Sequence, residues 1–600
     1  MRRINPKRGG AFGVVAALLI LVLSGAGLPK KKTEPPPLKT EETLLTLAYV
    51  KTAETQVEGV GLVIGLNGTG ANAPPSTLRA DLVEEMRKAG VDHPEKWLER
   101  KDTSMVIVRA IIPSGINTSD AIDVNVELPP GSATTSLAGG KLLVTQLRQV
   151  ARTPDQGLKK SNTIATAGGP LMAGSSAAPT NVKIARVLGG ARVKKEVPYT
   201  MIVREDRKSV RTVKLVEDVI KQRFHESDGI DQKGRAAGKT DQVLILKVPK
   251  VYHHNQTRYF QVVQGLHVVD SPPLRAQRLE RWSKELLDSK TAGRAALKLE
   301  GLGGNAIPAL KTGLESTDLH VKYFAAESLA FLGDPSGAEV LSQAAIRDKE
   351  LRAAALKALA AMDQSAALMK LRALLSQADV ELRYGAFDAL RTADPTDPFL
   401  GRISVYDDPP EVDQDDLKFQ LDSAPQRRKP LRPEDPFTLY VVDCEGPPMV
   451  HVSRNLRCEI VVFVKGQSLL PPLVLGAGGP ILLNAAEGDQ LLQISRIDVG
   501  TLDGPGSRVT APLELSSAIR QVAQLGATYP DIVEILSGAF RQKNLPGPLV
   551  VDAIPLTGKS YDEALLIGKT KKDDAVKKTS AEAQPKKYRV FSRLRNLMER

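Results

Sequence analysis

The first candidate for chemistry is the glycine-rich segment 56–70, QVEGVGLVIGLNGTG, because closely spaced glycines can form loops that bind nucleotide phosphates. Its glycines are Gly59, Gly61, Gly65, Gly68 and Gly70. A P-loop requires Lys followed by Ser or Thr after the last glycine, whereas Ala71-Asn72-Ala73 follow here. A Rossmann loop leads directly into a helix, which Pro74-Pro75 prevent. We therefore expect no nucleotide and no other cofactor.

The same glycines have a structural explanation. They bracket Leu62-Val63-Ile64, which we expect to form a short buried strand. Asn67-Gly68 follows it, and both residue types adopt the positive φ that a tight turn requires. The segment therefore predicts a strand that enters a turn.

Histidines and acids give no catalytic or metal-binding pattern. His253-His254 precede Asn255-Gln256 in what we expect to be a polar loop between two strands, and adjacent side chains there point apart rather than towards one metal. His451 stands alone. The acid pairs Asp407-Asp408 and Asp415-Asp416 lie in a proline-rich stretch, where solvent would leave their acidities ordinary. We predict no catalytic residue, no metal site and no enzyme activity.

The chain has two cysteines, Cys444 and Cys458. In an oxidising compartment, they could close a loop of about 15 residues with one disulfide, worth roughly 3 kcal/mol by chain entropy. Two buried thiols on adjacent strands are the alternative, since sequence does not supply the geometry. We expect the disulfide.

The formal net charge of +13 would suit a nucleic-acid-binding protein, but its distribution does not. Residues 1–39 carry a net charge of +7 and residues 569–600 another +7, so the middle of the chain is close to neutral, at −1. No folded domain has the basic surface that would follow a phosphate backbone. We therefore expect no nucleic-acid partner.

The N-terminus is typical of an export signal, with a basic start, an apolar run from Ala11 to Leu23 and small residues Ser24-Gly25-Ala26. We predict a signal peptide over 1–26, cleaved after Ala26, and a proline-rich linker over 27–43. Lys30-Lys31-Lys32 would resist translocation, so an uncleaved anchor is the alternative. Ala26 occupies the place where a lipoprotein has Cys, so no lipid anchor is expected.

Residues 44–270 alternate between strand and helix patterns. Ser104–Ile112, Ala121–Leu128, Val243–Val248 and Tyr259–Val263 are rich in β-branched or aromatic residues and predict strands. Between the two strand pairs, apolar residues recur at helical spacing at Val213, Val216, Val219, Ile220 and Phe224. This region is therefore predicted to be mixed α/β.

Residues 271–398 repeat a pattern with a period near 30 residues. Three copies align Val321, Ala325 and Leu329 with Leu351, Ala355 and Leu359 and with Leu382, Ala386 and Leu390, and a weaker copy contains Ala295 and Leu299. Each copy is too small to bury its own apolar face, so the copies must stack. The pattern resembles short HEAT-like repeats, which implies a helical solenoid that binds an unknown protein partner; an internal spacer is the alternative.

Residues 399–436 carry charged, proline-rich sequence without apolar periodicity and predict a linker. In the region 437–557, strands are expected at Phe437–Val442, Cys458–Val464 and Pro472–Leu475. Two helices should follow: the first ends at Gly526, and the second starts with the pair Thr528 and Asp531 and buries Ile532, Ile535, Leu536 and Phe540. Residues 558–600 are predicted to be a basic tail, disordered from Lys569 and ending in a short basic amphipathic helix from Tyr588. A solvated tail without this helix is the alternative.

The glycine-rich segment resembles the N-terminal signature of flagellar P-ring proteins. The resemblance continues through Asp120–Val124, Ser136–Thr145 and Gly169-Pro170-Leu171, and resumes at Pro448–Leu475 and Leu525–Leu536, in the same order as in that family. The resemblance implies two mixed α/β regions, 44–270 and 437–557. They flank the all-α HEAT-like repeats, an insert that the family lacks, so we expect an α+β protein. The resemblance also implies a homo-oligomeric ring in the periplasm, within the basal body of the bacterial flagellum, that surrounds the rod as a bearing, near peptidoglycan and the outer-membrane L ring.

If the resemblance holds, Gly59, Gly61, Gly65, Asn67, Gly68 and Gly70 are the signature residues of assembly. We expect the signature region and the closing helices to supply two complementary faces, because a closed ring needs a head-to-tail interface. On this hypothesis, Val at Gly61 or Gly65 would abolish assembly but not export. An extracytoplasmic scaffold of a non-flagellar envelope complex, binding proteins through the repeats, is the alternative function.

Overall fold

The computed structural model describes residues 39–153, 157–173, 183–227, 232–406, 435–476, 481–496 and 507–565. The predicted signal peptide, most of the predicted linkers and the amphipathic helix from Tyr588 lie outside these residues. Within the described ranges, no helix combines the length and the apolar character that crossing a membrane requires.

The described residues of 44–265 form three sheets, of seven, four and two strands, with five α-helices. The elements are α1 (Leu44–Leu47), β1 (Ala48–Lys51), β2 (Glu54–Ile64), α2 (Thr77–Lys88), α3 (Pro94–Leu98), β3 (Thr103–Pro113), β4 (Ile122–Glu127), β5 (Lys141–Thr153), β6 (Gly157–Pro170), β7 (Met172–Ala173), β8 (Ile184–Val193), β9 (Tyr199–Val203), α4 (Val210–Arg223), β10 (His225–Ser227), β11 (Gln232–Gly234), β12 (Ala236–Gly238), β13 (Val243–Leu246) and α5 (Gln256–Gly265). The predicted strands in β3, β4 and β13 and the predicted helix α4 are present.

The larger sheet has the order β4-β3-β2-β5-β6-β8-β7 and closes on itself, because β4 also pairs with β8. Its interior is filled by side chains that alternate along the strands, such as Val124 and Val126 on β4. Helices α2 and α3 cover part of the outside, where Leu82 and Leu98 pack on Leu62. Because the sheet is closed, β2 is a central strand, paired on both sides.

The four-stranded sheet has the order β1-β9-β13-β12 and packs against α4 and α5. Here the prediction of a strand at Tyr259–Val263 is wrong, since these residues lie within α5. The side chain of Asn255 accepts a hydrogen bond from Arg258 N and caps the helix. Tyr259, Val262 and Val263 have the spacing of one helix face, although their residue types favour strands.

Residues 272–393 are helical. The helices are α6 (Pro272–Leu286), α7 (Ala292–Leu302), α8 (Ile307–Leu314), α9 (Leu319–Phe331), α10 (Ala338–Arg347), α11 (Lys349–Ala361), α12 (Ser365–Leu374) and α13 (Val380–Ala393). Three of them, α9, α11 and α13, lie where the three aligned copies of the repeat predict them. Helix α11 contacts both α9 and α13, so the copies stack in sequence order.

Hydrogen bonds repeat with the helices. Asp318, Asp348 and Asp379 each accept a backbone N–H at the start of α9, α11 and α13. Arg352 in α11 is buried and donates to Ala345 O at 3.0 Å and to Asp379 Oδ1 at 2.9 Å, so one copy is bonded to the cap of the next. Arg383 holds the equivalent place in α13 and donates to Leu375 O at 2.6 Å.

The remaining elements are β14 (Arg402–Ile403), β15 (Thr438–Val442), β16 (Met449–Val452), β17 (Glu459–Phe463), β18 (Leu473–Gly476), β19 (Ile481–Ala485), β20 (Leu491–Arg496), β21 (Arg508–Pro512), α14 (Leu515–Gln524), α15 (Tyr529–Arg541), β22 (Leu549–Val551) and α16 (Lys559–Ala564). They form a sheet of order β14-β15-β17-β16-β22 and another of order β18-β19-β20-β21. The apolar faces of α14 and α15 pack into one core with both sheets.

Several boundaries of this region differ from the prediction. The predicted linker begins with folded residues, since β14 pairs with β15 and Val405 is buried. The predicted capping pair of α15 is present, with Asp531 accepting a hydrogen bond from Thr528 N at 2.8 Å. The expectation that Phe540 is buried is wrong: it lies on the solvent side of α15 and is 48% exposed.

The first and last regions touch each other directly. The carboxylate of Asp123 on β4 accepts hydrogen bonds from Gly189 N at 2.8 Å and from Leu456 N at 2.9 Å. Leu188 of β8 belongs to the core formed by the last region. The helices 272–393 are therefore inserted in the chain between two regions that contact each other directly.

Candidate functional site

The signature glycines are places where backbones and side chains approach closely. A Cβ atom on Gly59 would lie 2.2 Å from Gln146 O, and one on Gly61 would lie 2.4 Å from Thr145 Oγ1, both on β5. Strand β2 runs over 11 residues from Glu54, so the predicted short strand at 62–64 is only its end. A larger side chain at Gly59 or Gly61 would therefore separate two strands of the closed sheet.

The turn after β2 has the predicted conformation. Gly65, Asn67 and Gly68 have φ of 80°, 43° and 84°, in the left-handed region. Leu66 between them is fully buried, and its N–H donates to Asp102 O at 2.9 Å. At the end of the turn, a Cβ on Gly70 would lie 2.2 Å from Thr103 O. These residues determine the conformation of the turn. Substituting them would therefore disturb folding, and any loss of assembly would have to be separated from that effect.

Exposed apolar side chains lie on β5, beside strand β2. Val144 on β5 is 79% exposed, and its neighbour Leu143 is also exposed, next to Thr145 and Leu142, which face Gly61. On the last region, Phe540 of α15 and Val474 of β18 are both exposed, and Gln542, just after α15, donates to Val474 O at 2.9 Å. Sequence reasoning missed these side chains: it placed Phe540 on the buried face of its helix, and no local pattern shows which side of a closed sheet faces solvent.

Histidines and acids of the described residues form no group that could hold a metal ion. His253 and His254 lie between a strand and a helix, not between two strands, and their rings meet edge to face with centroids 5.0 Å apart. Together with Lys250 and Lys357 they line a groove at the start of α5. His451 is fully buried and stacks on Tyr384 with ring centroids 3.4 Å apart.

The predicted disulfide is not formed, and both cysteines are free. Strands β15 and β17 are parallel, and Thr438 pairs with Glu459. Cys458 therefore lies beside the beginning of β15, whereas Cys444 follows its end, roughly 20 Å away at about 3.3 Å per residue. A disulfide requires Cα atoms closer than about 7 Å. Burial raises the pKa of the Cys458 thiol to about 12, so it is also unreactive at neutral pH.

A cluster of buried charges, here called the first joint, connects three parts of the chain: Arg258, Glu300, Glu327 and Tyr561. Arg258 Nη2 donates to Glu300 Oε2 at 2.6 Å, and its Nη1 lies 2.7 Å from Glu327 Oε2 in an ion pair without hydrogen-bond geometry. Arg258, Glu300 and Glu327 have essentially no exposed surface. Burial disfavours the charge of Arg258, but the two carboxylates outweigh it and raise its pKa.

Tyr561 completes the first joint from α16. Its hydroxyl donates to Glu327 Oε1 at 2.5 Å, although the two residues are 234 positions apart. Burial raises the pKa of both Glu327 and Tyr561, so the phenol keeps its proton and acts as the donor. The residues from 558 were predicted as the start of a basic tail, but Tyr561 and Leu565 are buried in the core.

Glycines allow the chain before and around α16 to lie close to the helices. A Cβ on Gly385 of α13 would lie 2.7 Å from Pro555 Cγ, and one on Gly293 of α7 would lie 3.0 Å from Ala564 O. Gly558 N donates to Glu350 O at 3.1 Å. Glycine inside a helix costs about 1 kcal/mol relative to alanine, so the contact with residues 555–564 accounts for its use at these two positions.

A second joint, formed by Arg391, Glu459, Tyr384 and His451, connects α13 to the sheet of the last region. The guanidinium of Arg391 donates to both Glu459 and Asp388, and Tyr384 Oη donates to Glu459 Oε1 at 3.1 Å. His451 Nε2 accepts a hydrogen bond from Ala553 N at 3.3 Å. Burial and the nearby Arg391 lower the pKa of His451 to about 3, so its ring is neutral at physiological pH.

Comparisons with known proteins agree with the resemblance in the sequence. Residues 46–276 match the family model described as flagellar P-ring protein. The flagellar P-ring protein of Albidiferax ferrireducens is 29% identical over 188 residues, which cover 29% of this chain and 49% of that protein. That of Helicobacter pylori is 25% identical over 227 residues, covering 38% and 60%. That of Syntrophotalea carbinolica is 34% identical over 154 residues, covering 24% and 39%.

The matched range contains all the signature glycines and extends from within α1 to the first turn of α6. The chain spans between about two fifths and three fifths of the length of these relatives. The helices from α7 onwards and the last region lie beyond the range of the family model. Over residues 46–276, this chain is therefore similar to the flagellar P-ring proteins.

Proposed function

We propose that this chain is a structural, non-enzymatic subunit of the periplasmic P ring, which surrounds the flagellar rod of the basal body and acts as its bearing. The observation that carries the proposal is the match of residues 46–276 to the flagellar P-ring family. The ring lies near peptidoglycan and the outer-membrane L ring, and the signal peptide over 1–26 delivers the chain to the periplasm. The HEAT-like helices 271–398 bind a protein partner outside the ring.

Ring closure requires two different faces on each subunit, because identical copies must join head to tail. The exposed patch Leu143–Val144 beside the signature strand is one such face. The exposed pair Phe540 and Val474 on the last region is the other, since it lies on a separate body of the fold. Burying these side chains against a neighbour would stabilise the contact by about 25 cal/mol for each Å² of apolar surface.

Deletion of the gene in the source bacterium tests the role as a whole. We expect loss of swimming and basal bodies without the ring, and electron microscopy of the purified mature protein should show rings with a shaft-sized hole. Intact basal bodies and normal swimming would contradict the P-ring role. They would favour an extracytoplasmic scaffold of a non-flagellar envelope complex, with the helices as its docking arm.

The two faces can be tested with paired variants. Val144→Glu and Phe540→Glu each place a charge on an exposed surface, so both proteins should fold and neither should form rings. Because each variant keeps one intact face, a mixture of the two should form dimers but no rings. Leu319→Glu, an equally exposed site on α9, is the control and should assemble normally. Rings from either single variant would refute the assignment of the faces.

A further inference from the structure

A cavity of about 110 Å³ lies where the first region meets the helices. Its walls come from the end of α4, from residues 265–270 and from α6 and α7. A buried water needs roughly 10–15 Å³ by this measure, so the cavity can hold a group much larger than one water molecule. Neither joint contributes a side chain to it.

Cationic side chains surround the cavity. Arg223, Arg275, Arg278 and Lys298 line it, and Asp270 is the one carboxylate among the described lining residues. Two of these arginines share the Asp270 carboxylate, which accepts a hydrogen bond from Arg275 Nε at 3.1 Å and one from Arg278 Nη1 at 3.5 Å. Positive charge therefore exceeds negative charge at the cavity wall.

Arg223 contributes most to this excess. Its guanidinium donates to the backbone oxygen of Glu300, at 3.2 Å from Nε and 2.9 Å from Nη2, and a backbone carbonyl does not neutralise a cation. Lys298 is partly neutralised, since its Nζ lies 3.3 Å from Glu285 Oε2, while Arg281 contacts the other oxygen of that carboxylate, Oε1.

Two N–H donors in the lining residues have no acceptor among the described residues. They are Trp282 Nε1 and Arg278 Nε, and both residues are at least 97% buried. Indole and guanidinium nitrogens can only donate, so the partner that this wall lacks is a hydrogen-bond acceptor. His267 beside them is neutral at physiological pH, because burial and the charge of Arg278 lower its pKa to about 4.

We infer that this cavity is a binding site for a small oxyanion, a carboxylate or phosphate group, held by Arg223, Arg275, Arg278 and Lys298. Such a group supplies the acceptor oxygens that the wall lacks and balances the excess of positive charge. The inference does not depend on the proposed ring function, since it stands on the cavity and its lining alone.

Fluorescence of Trp282 tests the site. The chain has two tryptophans, so Trp97→Phe leaves Trp282 as the single reporter at the cavity wall. The variant is titrated with inorganic phosphate and, separately, with succinate, each against sodium chloride of matched ionic strength. A saturable change that chloride does not reproduce supports the site, and the anion that saturates at the lower concentration identifies the group it prefers. A linear response identical to that of chloride, as expected for a cavity that holds water only, overturns the inference.

Variants on α6 and α7 locate the binding. Arg275→Gln and Lys298→Gln remove partly exposed cations, and each should weaken binding about tenfold, as expected for the loss of one charged hydrogen bond. Lys284→Gln on the same helix α6 is the control, because Lys284 is largely exposed and does not line the cavity. Thermal unfolding of all three should be similar. Unchanged affinity in both cavity variants would place the anion elsewhere and refute the site.

Discussion

The two joints connect the helices to the rest of the molecule in different ways. In the first joint, Arg258 lies between two fully buried carboxylates, and the hydroxyl of Tyr561 on α16 completes it. In the second, Arg391 keeps an additional, partly exposed partner in Asp388. A buried charge that loses its only partners is far more costly than one that keeps a solvated partner. The first joint is therefore the more sensitive of the two.

The largest expected effect is that of Arg258→Met. It leaves Glu300 and Glu327 buried without a cation, and we expect a loss of about 3–5 kcal/mol in the free energy of unfolding. Urea denaturation followed by circular dichroism measures it. Arg281→Met is the control, because Arg281 is mostly exposed in its ion pair with Glu285. Equal small losses in both variants would show that the buried charges of the first joint contribute no more to stability than an exposed ion pair.

Tyr561→Phe should have the next largest effect. It removes one hydroxyl and leaves Glu327 Oε1 without its donor, so we expect a loss of about 1.5–3 kcal/mol by urea denaturation. Tyr49→Phe is the matched control on an exposed side chain. An unchanged unfolding midpoint for Tyr561→Phe would mean that α16 is not bound to the helices in solution.

Lower pH should weaken the second joint through His451. The folded pKa is about 3, below the ordinary value of 6.5, so the unfolded chain binds the proton first. The contribution is complete above pH 6.5 and is lost as the pH falls towards 3, at about 1.4 kcal/mol per pH unit. Denaturation at pH 7.5 and 5.5 measures it: His451→Gln should lose less stability than wild type on acidification. His320→Gln, at an exposed histidine, should behave as wild type does.

The smallest expected effect concerns the cysteines. Since Cys444 and Cys458 are free and lie at opposite ends of a parallel strand pair, adding a reductant should leave the melting temperature unchanged. Mass spectrometry after alkylation of the unfolded protein should count two thiols. A mass that shows no alkylation, together with a lower melting temperature in reductant, would show that a bridge forms after all.

Local pattern was enough to predict the elements whose signal lies within one segment. The 30-residue period located α9, α11 and α13, the pair Thr528 and Asp531 marked the start of α15, and Asn67-Gly68 marked a turn. The prediction for Tyr259–Val263 was wrong because the residue types favour a strand whereas the spacing of the apolar residues fits a helix, and the segment is helical. Periodicity is the stronger signal when the two conflict, since burial depends on which side chains share a face.

The candidate sites depend on contacts that no local pattern contains. Glu327 contacts both Arg258, which lies earlier in the chain, and Tyr561, which lies 234 positions later, and Asp123 accepts a hydrogen bond from the distant Leu456 N. The glycines were recognised by their spacing, but their role became clear only from the strand β5 that packs against them. Likewise, two cysteines 14 residues apart look close in sequence until the parallel pairing of β15 and β17 separates them.

Tyr561 also has a consequence for the order in which the molecule matures. The carboxylate it binds belongs to α9, which is synthesised 234 residues earlier, so the helices can stack before their last neighbour exists. Closing so long a loop is slow compared with forming adjacent helix pairs. Until it closes, the Glu327 carboxylate lacks the donor that Tyr561 brings, which leaves this part of the core less stable. The first joint is therefore completed only after α16 has been made and has reached the helices.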